Sequence, residues 1–136
     1  LFLEPGARIV VLEKEGAGKA VRKARTRPVW RGRTLCLVDG DTASGAEIFV
    51  SALRAAGRCI VAGTPTFGKD SAQTIFGLPG GAGLKLTTVR MSFVWRPQDR
   101  RVVPDVILGA GGARRPDVER IAHDPWVKAA LSMAAW

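Results

Sequence analysis

The sequence predicts an α/β fold, and two observations carry that expectation. Between residues 34 and 62 a continuous apolar run is followed by helical spacing and then by a second apolar run, the pattern of a strand, a crossover helix and a parallel strand. On either side lie further strand-like stretches separated by glycine- and proline-rich turns, so additional sheet surrounds that unit. The chain has 136 residues, enough for one compact domain with a real core and too few for two ordinary ones. Hydrophobic residues make up 46% and charged residues 24%, the balance of a globular chain rather than a disordered one.

Taken in order, Arg8-Ile9-Val10-Val11-Leu12 reads as a strand, with Gly16-Ala17-Gly18 as the turn into a basic strand that Pro28 ends. Thr34-Leu35-Cys36-Leu37-Val38, closed by Asp39-Gly40, has the unbroken apolar character of a buried strand in a parallel sheet. From Ala43 to Ala56 the spacing is helical, with Ile48, Phe49, Ala52 and Leu53 along one side and Gly57 as the stop. Arg58 to Ala62 is the second buried strand. Gly63 to Ser71 is a loop rich in Gly, Pro and Thr. Gln73–Leu78 and Leu84–Val94 follow as strands, and the alternation of Leu84 to Val89 predicts one wet face. The proline in Val102-Val103-Pro104-Asp105-Val106-Ile107 places that short extended piece at an edge. Gly109 to Arg115 reads as a linker. Asp124-Pro125 opens a last helix through Ala135, with Pro125 in its first turn.

The charge balance is strongly basic, 21 Lys and Arg against 12 Asp and Glu, a net +9, which raises nucleic-acid binding as a function class. The densest stretch holds Lys19, Arg22, Lys23, Arg25, Arg27, Arg31 and Arg33 with no acid between them, but only Trp30 interleaves as a stacking aromatic. An exposed edge strand, on which Lys and Arg oppose edge-to-edge pairing, accounts for it, and no nucleic-acid partner is expected. No apolar run approaches the ~18 residues of a membrane-spanning helix. Cys36 and Cys59 are expected as buried free thiols, although neighbouring strands would allow them to pair. His123, the single histidine, has no Cys or His near it in sequence, so no metal site and no cofactor are expected.

Two segments carry chemistry. Asp41-Thr42-Ala43-Ser44-Gly45-Ala46-Glu47 lies between a buried strand and a helix, which puts Ser44 at the helix amino end, where unpaired N–H groups and the dipole favour negative charge. Acyl transfer needs such a setting for its oxyanion. A purely structural reading also fits: Ser44 or Thr42 as N-cap, with Glu47 completing a capping box. The second segment, Gly63-Thr64-Pro65-Thr66-Phe67-Gly68-Lys69-Asp70-Ser71, imitates a phosphate-binding P-loop. Against that reading, Asp70 stands where a metal-binding hydroxyl belongs, and Ala72 to Gly77 looks extended where a helix should open.

Read together, the two segments resemble the tail-specific (C-terminal-processing) serine peptidase family. Ser44-Gly45-Ala46-Glu47-Ile48 is similar to that family's Ser-Ala-Ser-Glu-Ile nucleophile segment, and Pro65-Thr66-Phe67-Gly68-Lys69 with Gln73 to its Pro-Thr-Phe-Gly-Lys-Gly-x-x-Gln base segment. The spacings from Ser44 to Lys69 and from Lys69 to Gln73 both match, and Val103-Pro104-Asp105-Val106 resembles the closing Pro-Asp-Val. The resemblance covers about Leu1 to Val106. It departs at Gly45, at Asp70 and at Ala55, where some members carry an aspartate, so no acid is assigned to the site.

The resemblance implies a crotonase-like (ClpP/crotonase) catalytic core, a partial peptidase catalytic domain over residues 1–108, and a linker and C-terminal helix over 109–136. It implies cleavage of protein or peptide substrates near their C-termini by a Ser–Lys dyad, with Ser44 as nucleophile, Lys69 as general base, Gln73 orienting the amine, and the Gly45 N–H as one oxyanion donor. Phe67 and Ile75 are the expected neighbours that exclude water from the amine. The family's Asn-Pro-Gly-Gly loop and substrate-binding PDZ module would lie before Leu1, so the chain is expected to be a piece of a longer, extracytoplasmic (periplasmic) protein. Two alternatives remain at this level: a non-catalytic binding or scaffold domain of the same fold, and a P-loop nucleotide binder. His123 is the rival base of a Ser–His–Asp arrangement, but beside a helix start it is expected at the surface.

Overall fold

A computed structural model describes residues 1–109 and 123–133. Its elements are β1 (Arg8–Lys14), β2 (Gly18–Lys23), β3 (Leu35–Val38), α1 (Gly45–Ala55), β4 (Ile60–Gly63), β5 (Ser71–Gly77), β6 (Gly83–Phe93), β7 (Val106–Ile107) and α2 (Pro125–Met133), with a short 3₁₀ turn at Pro79–Gly81. They form a mixed α/β structure with two sheets. One is four-stranded and antiparallel in the order β2-β1-β6-β5; the other is three-stranded in the order β3-β4-β7, its pairs parallel.

The β3–α1–β4 unit is the expected crossover, with Leu35 opposite Ile60 and Val38 opposite Gly63. Helix α1 lies against β1, β4 and β6. The side it buries carries Glu47, Val50, Ser51, Ala52 and Leu53. Together with Leu3, Val10, Cys36, Val38, Val61, Phe93 and Val102, its apolar members form the core. Phe49, expected on that side, is turned outward and meets Phe2 edge-to-face at 5.5 Å between ring centres. The helix packs through positions 47, 50, 51 and 54, a stripe of i, i+3, i+4, i+7 spacing that leaves 49 outside it.

The helix stops where Gly57 predicts. Gly57 has φ +65°, its N–H donates to the Arg54 carbonyl (3.0 Å), and the Arg58 N–H donates to the Leu53 carbonyl (2.8 Å), which is a Schellman closure. Because Arg58 is consumed in that cap, β4 begins at Ile60, later than the apolar run suggested, and Cys59 precedes the strand instead of lying on it. β3 is also less enclosed than expected: Leu37 is exposed, since α1 covers only one face of the small sheet and α2 reaches β3 on the remainder.

β2 is the basic edge strand, exposed along its length, and it ends at Lys23, where its pairing with β1 shifts register, well before Pro28. β5 and β6 form a hairpin whose outer half is wet on both faces: Ile75, Phe76, Leu84 and Leu86 are all exposed, where one dry face was expected. β7 is the edge of its sheet, as Pro104 required. Asp124 caps α2, accepting hydrogen bonds from the N–H groups of Trp126 (2.8 Å) and Val127 (3.2 Å). The expected linker beyond Gly109, and the end of the last helix at Ala134 and Ala135, lie outside the described residues.

Asp105 closes the parallel sheet. Its N–H donates to the Val61 carbonyl (2.8 Å), one carboxylate oxygen accepts the Val61 N–H (2.9 Å), and the other pairs with Arg54 on α1. One side chain thus fixes β4, β7 and the helix together. Arg54 also lies over the Trp95 ring at 4.9 Å and donates to the Val103 carbonyl.

Two glycines test this packing differently. At Gly63, φ is +130° and a Cβ would sit 1.9 Å from the Val38 carbonyl oxygen; at Gly57 φ is +65° with nothing within 4 Å. Gly57→Ala is therefore expected to cost only the left-handed strain, about 1–2 kcal/mol in urea unfolding. Gly63→Ala must push β3 and β4 apart, and is expected to be the more destabilising of the two or to leave no cooperative transition.

Candidate active site

Strands β3 and β4 run parallel, so the segments leaving their carboxyl ends emerge on the same side, where open α/β sheets place their functional loops. The β3 exit carries Ser44 and the β4 exit carries Lys69. The first loop is folded on Asp39, whose Oδ1 accepts hydrogen bonds from the Asp41 N–H (3.0 Å), the Thr42 N–H (2.9 Å) and the Thr42 hydroxyl (3.0 Å). An Asp–Thr turn of this kind reverses the chain within three residues and delivers Ser44 to the start of α1.

Ser44 has φ 54° and ψ −115°, a conformation that a residue with a Cβ seldom adopts and that costs on the order of 1–3 kcal/mol. A strained serine on a strand-to-helix turn is the usual way to present a hydroxyl outward from a sheet edge. Ser44 is half-buried. Gly45 is the first residue of α1, so its N–H has no acceptor within the helix and points with the positive end of the dipole.

The residue that organises the site is Glu47, which the sequence suggested only as a capping partner. It is fully buried. One carboxylate oxygen accepts the Ser44 N–H (2.8 Å) and the Lys69 N–H (2.9 Å); the other accepts the Gly68 N–H (2.7 Å) and the Thr66 hydroxyl. Hydrogen bonds to a charged group contribute about 1.5–3 kcal/mol each, so four of them offset the several kcal/mol lost by removing a carboxylate from water. Thr66, also buried, accepts the Val102 N–H on the same hydroxyl (2.9 Å), and the Phe67 N–H donates to the Thr42 carbonyl (2.9 Å). The Ser44 turn and the lysine loop are thereby one hydrogen-bonded unit. Glu47 and Thr66 each lie three residues from a candidate catalytic side chain, but their residue types are ordinarily exposed and did not mark them as buried.

These bonds also correct the P-loop reading. The N–H groups of Gly68 and Lys69, which would cradle phosphate, are bonded to a carboxylate, and the loop runs into strand β5 where a phosphate site needs a helix. Gly68 has φ +90° and lies against Arg100 and Arg101, leaving no room for a side chain. Asp70 pairs with Arg100 at 3.5 Å.

Lys69 extends into solvent, and Phe67 (59% exposed) and Ile75 (71%) do not shield it, contrary to the expectation that they exclude water from its amine. The loop backbone is anchored inward through Glu47, which turns the adjoining side chains out. Gln73 is exposed on β5, and its amide donates to the Ser71 hydroxyl at 3.4 Å. His123 is exposed just before α2. Among the described residues no group of three His, Cys, Asp or Glu side chains could hold a metal ion, and no helix is long and apolar enough to cross a membrane. A groove of about 200 Å³ lined by Arg31, Arg33, Thr34, Arg58 and Cys59 lies at the opposite, amino ends of β3 and β4.

The chain is an α/β core in which a strained serine turn is braced by a buried carboxylate against a lysine-bearing loop. Comparison with known proteins names the family. The sequence profile of peptidase family S41 matches residues 1–108. The chain is 34% identical over 90 residues to the carboxy-terminal processing protease CtpA of Bacillus subtilis, covering 66% of this chain and 19% of that protein. It is 32% identical over 90 residues to a carboxyl-terminal-processing protease of Picosynechococcus, covering 66% of this chain and 22% of that protein. In structure it is similar to a photosystem II D1 C-terminal processing protease, with a TM-score of 0.73 at 26% identity over 90% of this chain and 32% of that one. The chain belongs to peptidase family S41, and it spans about a fifth of the length of these curated relatives.

Two outcomes follow for stability. Glu47→Gln keeps the shape but turns an amide N–H₂ toward N–H donors, and is expected to cost about 3 kcal/mol in urea unfolding, against about 1–3 kcal/mol for Thr66→Val. Ser44→Gly is expected to raise stability by about 1 kcal/mol by relieving the positive φ, whereas Ser44→Ala, which keeps a Cβ there, is not.

Proposed function

We propose that this chain provides the nucleophile and general base of a C-terminal-processing serine peptidase with a crotonase-like catalytic core, and that its parent protein cleaves protein substrates near their C-termini. The observation that carries the proposal is the Glu47 carboxylate, which bonds the backbone of Ser44 and of Lys69 at once and so holds the two loops in fixed relation. Family membership and the relatives' names supply the reaction class. A relative in Arabidopsis is described as chloroplastic, and an extracytoplasmic setting is proposed for this protein by analogy.

In the proposed reaction the Ser44 hydroxyl attacks the scissile carbonyl while its proton passes to the neutral Lys69 amine. The oxyanion takes a hydrogen bond from the Gly45 N–H at the positive end of α1. Collapse expels the amine of the C-terminal fragment, which takes the proton from Lys69, and water then releases the acyl group from Ser44 by the reverse use of the same base. Gln73, four residues on from the base, orients the amine. A lysine in water holds its proton at neutral pH, so turnover requires that solvent be stripped from it. The exposed Phe67 and Ile75 provide apolar surface on which a bound peptide would do this. The domain boundary belongs to the same proposal: residues 1–108 form the catalytic part and 109–136 an appended segment.

The test uses the full-length parent protein and a peptide substrate. Ser44→Ala and Lys69→Ala are each expected to abolish cleavage. Lys69→Arg is expected to be as inactive, because guanidinium keeps the charge but cannot accept the proton. Gln73→Ala is expected to lose about 10–1000-fold, as for a misplaced catalytic group. His123→Ala should change little. Near-normal turnover in Lys69→Arg together with loss in His123→Ala would make the lysine structural and the dyad wrong.

A further inference from the structure

The cationic stretch of the sequence gathers at the β2 edge, three strand spacings, or about 14 Å, from the β5 strand that leaves the lysine loop. β2 ends at Lys23, directly opposite Arg8 on β1, and like charges in that register repel. Among the described residues no ion pair engages Arg8, Arg22, Lys23, Arg25 or Arg27, and all five are exposed. The acids nearby are already used: Glu13 pairs with Lys19 at 3.7 Å and Glu4 with Arg31 at 2.7 Å. Glu15 sits in the turn at the other end of the hairpin. Beyond β2 the chain is tied back at two points. The Ala24 N–H donates to the Ala7 carbonyl (2.8 Å), and the N–H groups of Val29 and Trp30 donate to the Leu1 carbonyl (2.8 and 3.0 Å). Held in this way, Arg25 and Arg27 stand next to Val29, which is 81% exposed, and Trp30, which is 52% exposed. The Trp30 ring is seated over Gly32, where a Cβ would come within 2.4 Å of it.

We propose that this edge docks the protein on a membrane surface of anionic lipid, with Arg8, Lys23, Arg25 and Arg27 against the headgroups and Val29 and Trp30 entering the interface. Interfacial binding depends on apolar burial and on attraction to anionic lipid, and this segment places both kinds of side chain side by side. Tryptophan in particular favours headgroup depth, where its ring is apolar and its N–H stays wet. The repulsion between Arg8 and Lys23, unrelieved within the described residues, is offset when lipid phosphates lie against both. A nucleic acid would use the same cations, but it gives the exposed Val29 no role, and one aromatic ring is not the succession of rings on which bases stack. The contact is peripheral, since no described helix is long and apolar enough to cross a membrane. It is also separate from the Ser44 and Lys69 loops and does not rest on the peptidase reading.

The experiment co-sediments the full-length parent protein with vesicles of equal parts phosphatidylglycerol and phosphatidylcholine, and with vesicles of phosphatidylcholine alone. Binding is expected to the anionic vesicles only, and to be lost in about 1 M sodium chloride, where the Debye length falls to about 3 Å. Replacing Arg25→Gln and Arg27→Gln together is expected to weaken binding about 30-fold with an unchanged melting temperature. Lys85→Gln, on the far hairpin, is expected to change it less than about twofold, because the surface potential has decayed at that distance. Tryptophan emission is expected to shift to the blue on the anionic vesicles, and Trp30→Ala to remove that shift. Equal binding to both vesicle types, undiminished binding of the double arginine variant, or a blue shift that survives Trp30→Ala would each overturn the proposal. So would tighter binding to a single-stranded oligonucleotide than to the vesicles, which would make the surface a nucleic-acid one. Absence of vesicle binding, the outcome if another part of the parent protein covers this edge, would overturn it as well.

Discussion

A single buried carboxylate holds the working end of this structure together. Glu47 sits one turn into α1, where the helix dipole already favours negative charge, and accepts hydrogen bonds from three backbone N–H groups and one hydroxyl. Those donors come from two loops that are distant in sequence. Without the carboxylate, the N–H groups of Gly68 and Lys69 would be left without an acceptor next to a dry core. The carboxylate in turn depends on the helix being anchored, which Val50, Ala52 and Leu53 achieve by burial and the Arg54–Asp105 pair by charge.

Strain and its compensation are therefore adjacent. Ser44 is held in a conformation that costs energy, and the N–H of that same residue is one of the groups bonded to Glu47. The bond over-determines the backbone at the point where it is least comfortable, which is how an unfavourable φ persists in a folded chain. The outcome is a half-buried serine where the chain leaves two parallel strands, directly before the first residue of a helix.

The rest of the chain is asymmetric around this centre. The β3–α1–β4 layer is tight, with Val61, Ala62 and Leu53 almost wholly removed from solvent. The β5–β6 hairpin that leaves the lysine loop instead exposes Ile75, Phe76, Leu84 and Leu86. Apolar side chains next to a lysine-bearing loop suit a site that is completed by a bound chain, whereas the cationic β2 edge, far along the same sheet, is charged along its free side and discourages pairing.

By itself the sequence determined the crossover unit, the helix caps at Gly57 and Asp124, the edge positions of β2 and β7, and the placing of Ser44 at a helix start, because each follows from local periodicity, turn chemistry or a missing N–H. It also carried the family, through two motifs at a fixed separation. What it could not determine was which polar residues are buried. Glu47 reads locally as a capping partner, and only the approach of the Thr66–Lys69 loop, set by the parallel pairing of β3 and β4, turns it into the brace of the site. Asp105 likewise reads as part of a closing motif, and only the neighbouring Val61 backbone and Arg54 make it a clamp. The same long-range packing decided against local expectation at Phe49, which the helix turns outward, and at Lys69, whose backbone is drawn inward while its amine is left in water. Local rules act over a few residues, whereas burial is fixed by which distant segments meet, and that is settled only when the sheets assemble.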